Sequence, residues 1–192
     1  MRDRATAASL RATLGEASAP RVAEVAAALE EACAVVDVTA RPLFAALRAQ
    51  PPLADPFGRL WRAADLVREH RGDAHLGAVV AAGLDPVRAG ILAELWVGYP
   101  VGEYSATRGW PSERADAALA RLESDGLVAA GALTSAGRTL RDEIEAATDR
   151  SQEDLLAALP DVGSVIGSLD AWSATCIEAG TFPDDPRKRA AG

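Results

Sequence analysis

The chain has little of what usually announces a reaction or a membrane. Of 192 residues only two are cysteine and two histidine, and lysine occurs once, as Lys188. Cys33 and Cys176 stand far apart, with no CxxC pair and no neighbouring ligand set. They are expected to be small buried side chains, not a structural disulfide or a metal site. There is no glycine-rich phosphate loop, no nucleophile elbow and no paired-carboxylate motif, so neither catalytic residues nor a cofactor are expected. Apolar runs such as Val79–Ala82 and Val128–Ala132 fall far short of the roughly 20 residues that cross a bilayer. Met1-Arg-Asp-Arg leads into an alanine-rich amphipathic stretch, not an apolar signal core, and the expected compartment is the cytoplasm, with no membrane partner. Positive charge is also in deficit: the net charge is −8. That weighs against a polyanionic partner unless one face is locally basic.

What remains is an ordinary globular balance, 49% hydrophobic and 25% charged, in which helical spacing dominates. Residues 3–14 and 20–40 carry apolar side chains at helical intervals, including Val22, Val25, Leu29 and Cys33. Pro42 restarts a helix through Leu43, Phe44 and Leu47, and Gln50-Pro51-Pro52 ends it. Asp55-Pro56 and Asp85-Pro86 each combine a capping carboxylate with proline at the first helical position. The first opens a helix through Leu60 and Trp61. The second opens one with Ile91, Leu92, Leu95 and Trp96 inward. A short helix at 101–107, a turn at Arg108-Gly109-Trp110 and a helix from a Ser112 cap to about Ser124 follow. Gly126 sits where a C-cap glycine belongs. Leu127–Ala130 and Ala132–Thr134 are short enough to be two strands, Thr134 caps a helix reaching toward Leu159, and a last helix runs from about Asp161 to Glu178. The division expected is a helical region at 1–83, a compact module at 84–135, terminal helices at 136–180 and a disordered tail at 181–192.

The centre of the chain meets the needs of a helix-turn-helix. Gly109 supplies the tight turn, Trp110 plugs the core, and Ala117, Leu119, Ala120 and Leu122 give the second helix a buried stripe. Leu-Glu-Ser-Asp-Gly-Leu-Val and Leu-Thr-Ser-Ala-Gly-Arg-Thr-Leu then resemble the multiple-antibiotic-resistance-regulator (MarR) winged-helix family over about residues 86–147. In that family a recognition helix ends on an acidic-Gly-Leu-Val step, and the second motif opens the helix after the wing. The resemblance implies a mainly α fold: a winged helix-turn-helix with added N- and C-terminal helices and a very short two-stranded wing. It also implies double-stranded DNA as partner and a homodimer formed through the terminal helices. Ser112, Arg114, Arg108 and Arg121 are the candidate DNA contacts. The family's wing is longer and bears arginine, whereas here it shrinks to Ala129-Ala130-Gly131-Ala132. Residues 101–131 hold three arginines against five carboxylates, a local charge of −2. The alternative is a winged helix kept as a packing or dimerisation platform.

The densest ionisable stretch is Arg68-Glu-His-Arg-Gly-Asp-Ala-His75. Gly72 is expected to mark a kink or helix junction, with Asp73 capping the next helix. There Arg68, His70, Arg71, Asp73 and His75, with Trp61 nearby, could hold a small-molecule ligand. On an unbroken helix, His70 and His75 would instead point about 140° apart. Capping and surface ion pairs are the alternative role. Together with Arg41-Pro-Leu-Phe-Ala-Ala and Leu60-Trp-Arg-Ala-Ala-Asp-Leu-Val, this stretch resembles the SalK-like helix-turn-helix family of actinobacteria over roughly residues 5–178. Members of that family carry a further amino-terminal segment, so the resemblance implies a shortened version or a fragment. Two functions follow. One is a cytosolic, ligand-responsive transcriptional regulator. The other is a small-molecule-binding protein or enzyme on a winged-helix scaffold, using the His70/His75 cluster.

Overall fold

The computed structural model describes residues 2–182; the tail expected to be disordered beyond Phe182 lies outside them. Along the chain the helices are α1 (Arg2–Leu14), α2 (Ala19–Val35), α3 (Pro42–Arg48), α4 (Pro56–Ala81), α5 (Pro86–Val97), α6 (Glu103–Thr107) and α7 (Ser112–Ser124). The strands β1 (Val128–Ala129) and β2 (Ala132–Leu133) precede α8 (Ser135–Arg150), α9 (Glu153–Ala157) and α10 (Val162–Glu178). No single helix among the described residues is long and apolar enough to cross a membrane. The chain forms two compact units. The first takes the residues up to Ala74 together with Asp149–Phe182, and the second is His75–Thr148.

In the first unit, Val22, Val25, Ala26 and Leu29 of α2 pack with Phe57, Leu60 and Ala63 of α4 and with Leu159 and Val165. A neighbouring cluster joins Cys33, Val36, Phe44, Leu66 and Leu155. The apolar rhythm that predicts helix to residue 40 stops at Val35, and Val36 is already extended. The helix end is held by Arg48 of α3, whose guanidinium donates to the carbonyls of Cys33 at 3.1 Å and Val36 at 2.9 Å. Asp55 starts α4 as expected, accepting from the Gly58 amide at 3.0 Å.

Gly72 does not break the chain. α4 runs through it without a junction, so Asp73 caps no helix of its own. Instead the buried Asp73 carboxylate accepts from the Phe44 amide of α3 at 2.9 Å. It supplies from another element the acceptor that a helix N-terminus lacks. A mid-helix glycine costs about 1 kcal/mol, less than the roughly 1.5–3 kcal/mol that burial of Leu66 on the same helix returns. His70 is 2% exposed, edge-on to Phe44 at 5.0 Å between ring centroids, with Nδ1 2.9 Å from Gln152 Oε1. α8 likewise stops at Arg150, short of Leu159, and α9 begins at Glu153. The Asp161 carboxylate caps α10 by accepting from Ser164 N at 2.9 Å.

In the second unit, Val87, Ile91 and Leu92 of α5 meet Ala115, Ala118 and Leu122 of α7, with Val128, Leu133 and Ile144 closing the core. Asp85 accepts from the amides of Val87 at 2.9 Å and Arg88 at 3.0 Å. Ser112 is the first residue of α7, not its cap; Pro111 holds that place without a side-chain acceptor. β1 and β2 pair antiparallel, Val128 opposite Leu133 and Ala129 opposite Ala132. The turn is Ala130-Gly131, both at positive φ (50° and 72°), the sign that suits a two-residue hairpin. Thr134 Oγ1 donates to the Gly126 carbonyl at 2.8 Å and accepts from Gly137 N at 3.1 Å, so one hydroxyl joins the end of α7 to the start of α8.

Burial pushes the His70 imidazole below its ordinary value of 6.5, and the Gln152 hydrogen bond opposes that shift. The unfolded chain then takes up the proton more readily. The stability contributed by neutral His70 is whole above about pH 6.5 and is lost as pH falls toward the folded-state value. The urea midpoint should therefore drop between about pH 7 and 5, and His70→Gln should lack part of that drop; equal acid sensitivity of the two proteins would refute it. At Gly137 an added Cβ would collide with the Leu127 carbonyl oxygen. Gly137→Ala should lose upward of about 3 kcal/mol in urea unfolding, whereas Ala136→Gly, at an exposed position, should lose about 1.

Candidate nucleic-acid interface

The geometry of α6 and α7 is set from beneath by a residue the sequence pattern hides. Glu94 lies on the inner face of α5, 1% exposed, between Ile91 and Leu92 on one side and the 99–105 segment on the other. Its Oε2 accepts from the Gly102 amide at 2.7 Å, and its Oε1 accepts from the Ser105 amide. One carboxylate thus takes up two backbone donors at the entrance to the five-residue α6, which is too short to organise its own end. Gly102, at φ 84°, makes the bend that brings its amide to Glu94. Trp96, expected inward, is instead half-exposed, with the Arg141 guanidinium 5.1 Å over its ring.

α7 stands on this base with Ala115, Ala118 and Leu122 inward. Ser112, Glu113, Arg114, Asp116, Arg121 and Glu123 are exposed. Two of the candidate arginines are held against aromatic rings. Arg108 lies 4.8 Å over Tyr104 and hydrogen-bonds its hydroxyl, and Arg114 lies 5.5 Å over Trp110. A guanidinium resting on a ring keeps its charge while losing rotamer freedom. Arg121 pairs with Asp125 at 3.2 Å.

Arg88, which sequence reading passes over, joins them. A cleft of about 170 Å³ is bordered by Asp85, Val87, Arg88, Arg114, Ala117, Ala118 and Arg121. Three guanidiniums therefore edge one depression at the start of α5. Arg88 is fixed by Asp85 at 2.7 Å, Asp125 at 3.4 Å and the Gly83 carbonyl at 2.6 Å. Its position three residues after a capping aspartate is the signal that could have found it, since i,i+3 pairs share a helix face. The hairpin tip, Ala129–Ala132, carries no charge.

The stretch around residues 68–75 does not gather into one site. Arg68 pairs with Asp65 at 2.7 Å and Glu69 at 2.5 Å, Arg71 with Asp149 at 3.5 Å. Asp73 and His70 are spent on Phe44 N and Gln152. His75 Nδ1 meets Thr148 Oγ1 at 3.1 Å and lies 3.8 Å from Glu145. The unbroken α4 makes the two imidazoles diverge onto these separate partners. Trp61 is half-buried, and its indole N–H has no acceptor among the described residues. No group of three or more His, Cys, Asp or Glu side chains is placed to hold a metal ion among those residues.

A family model described as a helix-turn-helix family matches residues 1–183. No curated protein and no solved structure matches the chain.

Glu94→Gln keeps the shape but turns one acceptor into a donor facing a backbone N–H. It should lower unfolding free energy by about 1–3 kcal/mol, and Glu94→Ala by about 3–5, as measured by urea titration. Stability equal to wild type in both variants would show that the α6 entrance does not depend on this carboxylate.

Proposed function

Because the chain belongs to the helix-turn-helix family matched over residues 1–183, we propose that it is a transcriptional regulator whose second unit binds double-stranded DNA as a winged helix of the MarR type. α7 is the recognition helix, β1–β2 the reduced wing, and the protein acts in the cytosol as a homodimer. The observation that carries this reading is the convergence of Arg88, Arg114 and Arg121 on one cleft, with Arg114 and Arg108 lying over aromatic rings. A surface whose total charge is negative can bind a polyanion where cations are concentrated and pre-organised. Arg114 and Ser112, in the first turn of α7, are the residues that reach base edges; Arg88, Arg108 and Arg121 take phosphates. Backbone contacts by few cations imply a modest affinity with a shallow salt dependence.

A second reading is favoured by the uncharged Ala129–Ala132 tip. In it the winged helix is a packing platform and ligand binding in the first unit is the whole function. One titration separates the two. Fluorescence anisotropy on the DNA upstream of the protein's own gene should show binding by the dimer whose log–log salt slope is about −5, roughly 0.9 for each of the three phosphate-bound arginines of each protomer. Arg88→Ala, which removes one contact from each protomer, should flatten that slope by about two units on every sequence, while Arg114→Ala should reduce discrimination against unrelated DNA. Absence of salt-sensitive binding would leave the platform reading in its place.

A further inference from the structure

The first unit contains a cavity of about 530 Å³ bounded by α2, α3, the Gln50–Leu53 loop and α4. That is within the range of small-molecule sites, roughly 300–1,000 Å³. Its apolar wall includes Leu47, Leu53, Leu66 and Cys33. The Cys33 thiol, pushed up to about 11 by burial, stays neutral and adds to that wall. Three arginines, Arg48, Arg59 and Arg62, face one carboxylate, Glu30.

The arginines are not equivalent. Arg48 is committed to the carbonyls at the end of α2, and Arg59 grips both oxygens of Glu30 at 2.5–3.2 Å. Arg62 donates through Nη2 to Asp3 at 2.7 Å, but its Nε is buried and meets no acceptor among the described residues. That N–H is closed to solvent and meets an acceptor in the cavity only as the Arg62 side chain turns; a buried cationic N–H without a partner carries a penalty that such an acceptor removes. Arg62 also borders a second cavity of about 410 Å³, where Asp3, Asp65 and Glu69 stand. An anion is repelled there and drawn to the side holding Arg48 and Arg59. A larger cavity of about 610 Å³ beside α1 sets two arginines, Arg4 and Arg11, against two carboxylates, Asp3 and Asp55, and Arg11 is already paired with Asp55 and Glu16.

We propose that the 530 Å³ cavity is a binding site for a monocarboxylate with an apolar body, its carboxylate on Arg62 and its hydrocarbon against Leu47, Leu53 and Leu66. A planar carboxylate matches the fork of a guanidinium, and three arginines set against Glu30 and the Asp3 partner of Arg62 leave one positive charge in excess, which selects a single negative charge. The site lies wholly within the first unit and goes beyond the DNA-binding reading.

Isothermal titration of the full chain with 2-naphthoate and its neutral analogue 2-naphthalenemethanol tests it. Naphthoate should bind saturably and at least about tenfold more tightly than the alcohol. Arg62→Gln should erase that preference while leaving the alcohol unchanged. Asp3→Asn removes the carboxylate competing for Arg62 and should tighten naphthoate severalfold, an outcome a purely structural Arg62–Asp3 pair would not give. Should Arg62→Gln fail to melt cooperatively, Asp3→Asn alone decides. Leu47→Trp, which fills the cavity, should abolish binding of both probes. Equal affinity for acid and alcohol, no saturable naphthoate binding, weaker binding to Asp3→Asn, or naphthoate binding unchanged in Leu47→Trp would each overturn the proposal. None of these readouts involves DNA, so the outcome stands apart from that of the anisotropy titration.

Discussion

A carboxylate withdrawn from water must be repaid by donors in good geometry, or it destabilises the fold that holds it. Glu94 meets that condition with two backbone amides, those of Gly102 and Ser105, and the second unit is arranged around the exchange. The amides belong to a five-residue helix and the bend before it, elements with no stability of their own. Fixing them fixes the turn at Gly109 and thereby the direction in which α7 leaves the core. The exposed arginines inherit their positions from that direction. The surface chemistry of the unit thus rests on a side chain that cannot touch a ligand.

Local physics was legible in the sequence. Asp85 and Asp161 satisfy amides two or three residues ahead, and Thr134 satisfies Gly137 N three ahead. Each contact is contained in a four-residue window. The features the pattern missed share the opposite property. Asp73 serves Phe44 from 29 residues away, Arg48 serves Val36 from 12, and Glu94 serves Ser105 from 11. Nothing next to these residues reports the acceptor or donor waiting in another element. Gly72 misled for the same reason: its intrinsic penalty was visible, while the tertiary burial that outweighs it was not.

The candidate surface was half legible. Arg108, Arg114 and Arg121 stand out as the cations of residues 101–131, and counting charge there correctly warns of a deficit. Counting cannot show that Tyr104 and Trp110 hold two of them still, or that Arg88 joins from a different helix. The ionisable stretch at 68–75 shows the reverse case. Density along the chain suggested a site, but a continuous helix distributes neighbours in sequence around its circumference. Arg62, whose Nε is a partnerless donor of the first unit as the Trp61 indole is, sits among alanines and leucines with no motif to mark it.

The division of the chain has a consequence for how such a protein can be altered by evolution or by hand. The first unit is built from two stretches that flank the second, and the boundaries at 74/75 and 148/149 fall inside α4 and α8. No single truncation yields either unit, and no flexible linker offers a protease or a recombination event a clean place to cut. In sequence the central unit is an insertion, entered within α4 and left within α8. Exchanging it for a relative's would demand matching the helical phase at both junctions, because one residue gained or lost turns everything beyond it by about 100°.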